Sequence, residues 1–248
     1  MTTPTDDNKK VALVTGATGL LGQVICRRLA AEGVHLGLGC TSNEAAANTL
    51  AAELSQDFGI ECSVHPFDVK SAGEVQAAVT DLAERHGRVD ILVAAHGVAP
   101  QQFLRFTREE DVQSAFRVNA EGTIHCVTAV LPHMQQNNFG RVVLLGTAAV
   151  LGRLRSAVYS ASKSALEGLV RSASLEHAAH GITFNIVSPA VVEGGPATIG
   201  DGRDKLLKDY PLGRFILPEE VAGTIAFLTS EAAASITGQQ IIMDGGRP

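Results

Sequence analysis

The sequence predicts an α/β fold: a single domain built on a doubly wound parallel sheet with helices on both faces. Three observations lead there. Short apolar runs alternate with helix-forming stretches along the whole chain, which is the pattern of a parallel sheet covered on both sides. A glycine-rich turn, Thr15-Gly-Ala-Thr-Gly-Leu-Leu-Gly22, joins the first run to the first helix. The 248 residues, 45% hydrophobic and 19% charged, are enough for one large core and short for two.

The elements follow in order. Val11 to Val14 is an apolar run that ends at the glycine turn. Gln23 to Glu32 carries helical periodicity, and Gly33 stops it. Leu36 to Leu38 is a weak second strand, and Glu44 to Gln56 an alanine-rich helix. Cys62 to His65 is a strand that leads to Asp68, and Ala72 to His86 is helical. Asp90 to Val93 is a fourth strand, followed by Ala94-Ala-His-Gly97. Val112 to Gln135 reads as one long helix, Arg141 to Leu145 as a fifth strand, Tyr159 to His180 as a second long helix. Thr183 to Val187, Glu219 to Ser230 and Gln240 to Met243 complete the set as strand, helix and strand. Residues 1–9 are polar and lack an apolar stretch, so they read as a flexible tail rather than a signal peptide. The domain then covers residues 10–248. Within it residues 193–210, rich in glycine and charge, interrupt the alternation after a strand end and read as a substrate lid.

Composition excludes some partners. A net charge of −6 without a basic run argues against nucleic acid. No apolar run reaches the length of a membrane span. Cys26, Cys40, Cys62 and Cys126 are widely spaced with no C-x-x-C. They read as reduced thiols of a cytoplasmic protein, not as a metal site or disulfide framework.

Two motifs carry chemistry. Between a first strand and a first helix, the glycines of Gly16 to Gly22 let the backbone approach a pyrophosphate. The helix N-terminus supplies free N–H groups and a positive dipole end. Tyr159 and Lys163 are four apart in a helix-forming stretch, so both point into one cleft. A fixed positive charge there favours phenolate, which lowers the tyrosine pKa and makes the phenol a usable acid or base near pH 7.

With these residues the chain resembles the compact, Rossmann-type, one-domain form of the short-chain dehydrogenase/reductase superfamily, most generally the 3-oxoacyl-carrier-protein reductases. The similarity runs from about Lys10 to Gly246. It is carried by the glycine turn, Asp68-Val69, Asn119, Tyr159 with Lys163, Asn185 to Pro189, Pro211 to Arg214, Pro218 to Ala222 and Gly238 to Gly246. The resemblance implies a catalytic set of Tyr159, Lys163, Asn119 and Thr147. Tyr159 would exchange a proton with the carbonyl or alcohol oxygen. Lys163 would lower its pKa and hold the nicotinamide ribose, and Asn119 would support a water relay to Lys163. A nicotinamide dinucleotide would be bound by Gly16, Thr18, Gly19, Leu20, Leu21, Gly22, Thr41, Ser42, Asp68, Val69, Ala95, Gly97, Pro189 and Val192, with Tyr159 and Lys163. Asp68 and Val69 would meet the adenine ring. The substrate would be a small carbonyl compound or alcohol, and the assembly a homotetramer or homodimer.

Several positions depart from that family's pattern. The middle glycine stands at Gly19, and Leu20 presents a side chain in its place. The usual Asn-Asn-Ala-Gly turn is Ala94-Ala95-His96-Gly97, and His96 reads as a packing or hydrogen-bonding residue. The serine thirteen before Tyr159 is Gly146, and Thr147 supplies the hydroxyl one residue later. Pro189-Ala190 replaces Pro-Gly. At the end of the second strand Cys40 stands where an acid would repel a 2′-phosphate. Thr41 and Ser42 could bond that phosphate, so NADP is preferred over NAD, although the glycine turn has no arginine. These departures keep two other readings open: a non-redox isomerase, dehydratase or cyclase on the same scaffold, or a binding protein with a decayed site.

Overall fold

The computed structural model describes residues 9–199 and 202–246. Of the expected tail, residues 1–8 lie outside the described residues. So do residues 200 and 201 of the expected lid, and 247 and 248 at the end of the domain.

Seven parallel strands form one sheet. In chain order they are β1 (Val11–Thr15), β2 (His35–Cys40), β3 (Cys62–Pro66), β4 (Ile91–Ala94), β5 (Gly140–Leu145), β6 (Ile182–Pro189) and β7 (Gln239–Met243). Their spatial order is β3-β2-β1-β4-β5-β6-β7. The winding reverses between β1 and β4, which pair with Ala12 opposite Ile91. A crevice opens at the carboxyl ends of strands at such a reversal. Strands β1, β4 and β6 are buried along their whole length, as expected for strands covered on both faces.

The described residues form eight helices: α1 (Leu20–Ala31), α2 (Glu44–Phe58), α3 (Ala72–His86), α4 (Glu109–Phe116), α5 (Gly122–Asn137), α6 (Ala157–His177), α7 (Arg203–Leu207) and α8 (Pro218–Thr229). The pleat splits the core into two layers. Leu13, Leu92, Val142 and Phe184 face Val79, Val130 and Leu166 of α3, α5 and α6. Val14, Leu36, Val93 and Val187 face Ile25, Leu50 and Ile225 of α1, α2 and α8. Among the described residues no helix is long and apolar enough to cross a membrane, and all four cysteines are free.

The structure corrects two boundaries that matter. The first helix starts at Leu20, because Gly19 caps it in an extended conformation. The expected single helix from Val112 to Gln135 is α4 and α5 joined by a π-helical turn, Arg117–Glu121. An extra residue in a helix displaces backbone groups from the regular ladder, and Asn119 sits in that turn.

Two close packings hold the crevice walls. A Cβ added to Gly22 would lie 2.1 Å from the Gly16 carbonyl oxygen, so only glycine lets α1 lie against the turn. His96, in the turn after β4, shares a 2.6 Å hydrogen bond with the Thr15 hydroxyl of β1 and a 3.3 Å contact with the Thr123 hydroxyl of α5. Burial first, and the nearby Lys163 charge second, push its pKa down to about 3, against the opposing Val118 carbonyl.

Gly22→Ala is expected to destabilise the fold at the upper end of the roughly 1–3 kcal/mol that overpacking costs. Gly223→Ala in α8, where an added Cβ meets nothing within 4 Å, should be neutral or stabilising by up to about 1 kcal/mol. Urea denaturation of the two variants checks the contrast. Because His96 stays neutral in the fold down to about pH 3 but takes a proton near 6.5 when unfolded, its contribution is lost as pH falls from 6.5 toward 3. His96→Gln, which keeps a hydrogen-bonding side chain without titrating there, should flatten the decline of Tm over that window. An unchanged slope would contradict the assignment.

Candidate active site

The first wall of the crevice is the β1–α1 turn. Gly16 has φ +65°, and a Cβ there would stand 3.0 Å from the His96 nitrogen, so the turns after β1 and β4 touch backbone to backbone. Gly19 caps α1 with no side-chain hydrogen bond. The first-turn amides of Leu20, Leu21 and Gly22 have no acceptor one turn back within the helix. Their geometry and the dipole end suit an anion. Leu20 itself is exposed and reaches over the crevice: a Cβ added to Gly194 would lie 3.6 Å from its Cδ1. Leu21 is half-buried and packs with the core.

From this wall a groove of about 480 Å³ runs over the ends of β1, β2 and β4. Gly16, Thr18, Gly19, Thr41, Ser42, Asp68, Val69, Ala95 and Gly97 all line it, so one cleft gathers most of the residues expected to hold a dinucleotide. Its size and its uncapped helix end fit an elongated, phosphate-bearing ligand. Pro189 and Val192 lie elsewhere, at the exit of β6, where Pro189 pairs with Met243 and Val192 bridges to Ile216. Cys40 lines the groove too, at the position the sequence assigns to the cofactor-facing end of β2, whereas Asn43, Lys70, Val98, Ser114 and Val118 carry no such signal. Lys70 follows the expected Asp68-Val69 pair directly and ion-pairs with the Asp68 carboxylate at 3.1 Å. No carboxylate stands at positions 40–43. Arg27 and Arg28 are bound to Glu53 and Glu32.

Tyr159 and Lys163 lie one turn apart on α6. Lys163 is buried, and its Nζ donates to the carbonyls of Leu145 at 2.7 Å and His96 at 3.3 Å. Burial pushes its pKa down to about 8. Gly97 makes room for it: a Cβ there would stand 3.3 Å from Nζ and 3.1 Å from the Asn119 Oδ1. The fully buried Asn119 side chain donates to the Val98 carbonyl at 2.8 Å and the Ser162 hydroxyl at 2.9 Å, and accepts from the Val98 N–H at 2.9 Å. Its side chain therefore clamps the β4 turn to α6 and has no hydrogen bond to Lys163.

One electrostatic expectation is corrected. Burial raises the Tyr159 pKa, and what opposes the rise is a hydrogen bond from Thr147 and then the charge of Arg153. Lys163 is spent on two backbone carbonyls and is not among the groups that lower it. Thr147 is buried at the end of β5, where its Oγ1 also accepts from the Ala149 N–H at 3.2 Å. The one-residue shift in the loop thus brings the hydroxyl to the tyrosine.

Beyond Thr147 lies a smaller cavity of about 40 Å³, bounded by Arg153, Ala190, Val191, Tyr210 and Asp244. Tyr210 belongs to the expected lid, whereas Asp244 arrives from after β7 with no local signal to announce it. Tyr210 is buried. Its hydroxyl accepts from the Val191 N–H at 3.1 Å, and its ring meets Phe215 edge-on. The segment after β6 folds back over this cavity, tied by a bidentate Glu193–Arg203 pair at 2.6 and 3.0 Å.

Comparison with known proteins agrees with this geometry. The family model described as enoyl-(acyl carrier protein) reductase matches residues 16–247. The short-chain reductase protein NovJ of Streptomyces niveus is 31% identical over the full length of both chains. A 3-oxoacyl-[acyl-carrier-protein] reductase of Synechocystis is 34% identical over 96% of each chain. The crystal structure of NAD+-bound xylitol dehydrogenase superposes with a TM-score of 0.89 at 27% identity, covering 96% of this chain and 98% of the other. With its fold, its glycine turn and its Tyr159–Lys163 pair, the chain belongs to the short-chain dehydrogenase/reductase superfamily of NAD(P)-dependent oxidoreductases.

Proposed function

We infer that the protein interconverts a ketone and a secondary alcohol, with Tyr159 as the acid and base. The observation that carries this reading is Thr147, which borders the small cavity and stands close enough to the Tyr159 phenol to favour its ionised form. Two hydroxyls side by side there can both face a carbonyl oxygen. When bound, a nicotinamide dinucleotide supplies or accepts the hydride. The residues of this chain do the rest. Thr147 orients the oxygen, and Tyr159 gives it a proton in reduction or takes one in oxidation. Lys163 has three donors, two of them used on Leu145 and His96, and the third is left for a ribose hydroxyl. Its ammonium also places a positive charge beneath the site. Asn119 is a positioning residue, because it holds Val98 and Ser162.

For the cofactor, NADPH is our preferred reading. Position 40 carries a cysteine and not an acid, and Thr41 and Ser42 are exposed residues of the groove, the Thr41 hydroxyl donating to the Phe67 carbonyl at 3.3 Å. No carboxylate at positions 40–43 repels a 2′-phosphate. NAD is the second reading, favoured by the NAD+-bound state of the similar xylitol dehydrogenase. Assembly into a homotetramer or homodimer is supported by α6, whose Ala161, Ser164, Ala165 and Gly168 all face outward, beside the exposed Leu175. Small residues in a row permit close approach of a second helix. A reducing, cytoplasmic setting suits the four free cysteines.

Tyr159→Phe is expected to lower kcat by at least the 10²–10⁴-fold typical of a lost general acid, while the NADPH dissociation constant, read by nicotinamide fluorescence, stays within a few fold. Retained turnover would exclude the reading. Thr147→Val should cost roughly 10- to 100-fold in kcat/KM, the range of a hydrogen bond to a charged group. NADPH should bind more tightly than NADH, and Ser42→Asp should reverse that order in the same titration. A wild type that prefers NADH would assign the cofactor to NAD.

A further inference from the structure

Among the described residues, one cation in the catalytic region has neither an ion pair nor a ring contact. The other described arginines pair with carboxylates, as Arg203 does with Glu193 and Arg214 with Glu220, or lie over rings, as Arg105 and Arg155 do over Phe106 and Phe103. Arg153 does neither. It is half-buried, borders the 40 Å³ cavity with Thr147 and Tyr210, and stands close enough to Tyr159 for its charge to act on the phenol. Its loop is fixed on both sides: the Ser156 N–H donates to the Arg153 carbonyl at 3.3 Å, and the Gln102 N–H to the Arg155 carbonyl at 2.8 Å. Asp244, the one carboxylate on the cavity wall, already accepts from the Gly246 N–H at 2.9 Å.

We propose that Arg153 receives a carboxylate of the substrate, so that the preferred substrates are short oxo acids and the matching hydroxy acids. This rests on the carbonyl-reductase reading above and adds a substrate class to it. A guanidinium presents a fork that matches a carboxylate with two parallel hydrogen bonds. The cavity has room for about three water-sized groups, which limits the acid to one or two carbons from the carbonyl that Tyr159 and Thr147 receive. Long neutral ketones place apolar atoms against the charge and gain nothing from it.

The test compares kcat/KM for 2-oxobutanoate and 3-oxobutanoate with their methyl esters, in the wild type, Arg153→Met and Arg153→Lys, with NADPH and with NADH. The wild type should favour an acid over its ester by roughly 10- to 100-fold, the range of a charge-assisted hydrogen bond. Arg153→Met should erase that ratio and Arg153→Lys keep part of it. A wild type that reduces the esters as well as the acids overturns the proposal and leaves carbonyl reduction standing. So does an Arg153→Met variant that loses both in equal proportion. Calorimetric titration with the two oxo acids separates the remaining cases. Arg153-dependent binding without turnover keeps the carboxylate site and removes the carbonyl-reductase reading. Absence of both turnover and Arg153-dependent binding overturns the proposal.

Discussion

A buried ammonium needs fixed dipoles in place of its water, and Lys163 finds them in two backbone carbonyls, those of Leu145 and His96. These carbonyls lie at the ends of neighbouring strands, paired with Ala94 opposite Leu144. The register of the sheet thus sets where the ammonium can sit. Once it sits there, α6 is pinned to the sheet, and the residue one turn earlier, Tyr159, is carried toward Thr147 and Arg153. Gly97 belongs to the same constraint, since a side chain there would crowd both Lys163 and Asn119. Burial still pushes the Lys163 pKa down to about 8.

The turn after β4 is the weak point of this arrangement, because Ala94 and Ala95 bring no polar side chain to it. Contacts from outside the turn hold it. His96 reaches Thr15 and Thr123, Asn119 takes both backbone groups of Val98, and Lys163 takes the His96 carbonyl. The π-helical turn at Arg117–Glu121 sets Asn119 where it reaches Val98 and Ser162 together. Four elements, β1, the π-helical turn, α5 and α6, therefore do what side chains within the turn would otherwise do.

Much of this was legible in the sequence, and what was not has a physical reason. Alternating apolar strands and helices gave the sheet, because burial on both faces demands such runs. The glycine turn and the Tyr159–Lys163 spacing gave the groove and one of its walls, because both are local patterns fixed by helix and turn geometry. The small cavity is different. Thr147 and Arg153 come from the loop between β5 and α6, Tyr210 from the segment before α8 and Asp244 from after β7, and no local pattern states that these three segments meet. The π-helical turn was hidden for a related reason: its extra residue leaves the apolar periodicity on each side intact. The direction of Leu20, over the crevice toward Gly194, depends on how the segment after β6 folds back.

The tyrosine pKa was misjudged for a more instructive reason. Helical spacing places a lysine on the same face as a tyrosine, but it does not say what the ammonium is aimed at. Here the sheet carbonyls claim it, and the phenol, itself mostly buried, stays protonated at neutral pH. The groups that work against that rise, Thr147 and Arg153, both stand on the cavity side. Burial of the phenol thus favours the form that donates a proton, which is the form reduction of a carbonyl requires. A substrate carboxylate seated on Arg153 would screen the guanidinium and strengthen this bias, since it weakens one of the two influences that favour phenolate. Substrate charge and proton donation are coupled through a single side chain, which gives the loop between β5 and α6 control over both.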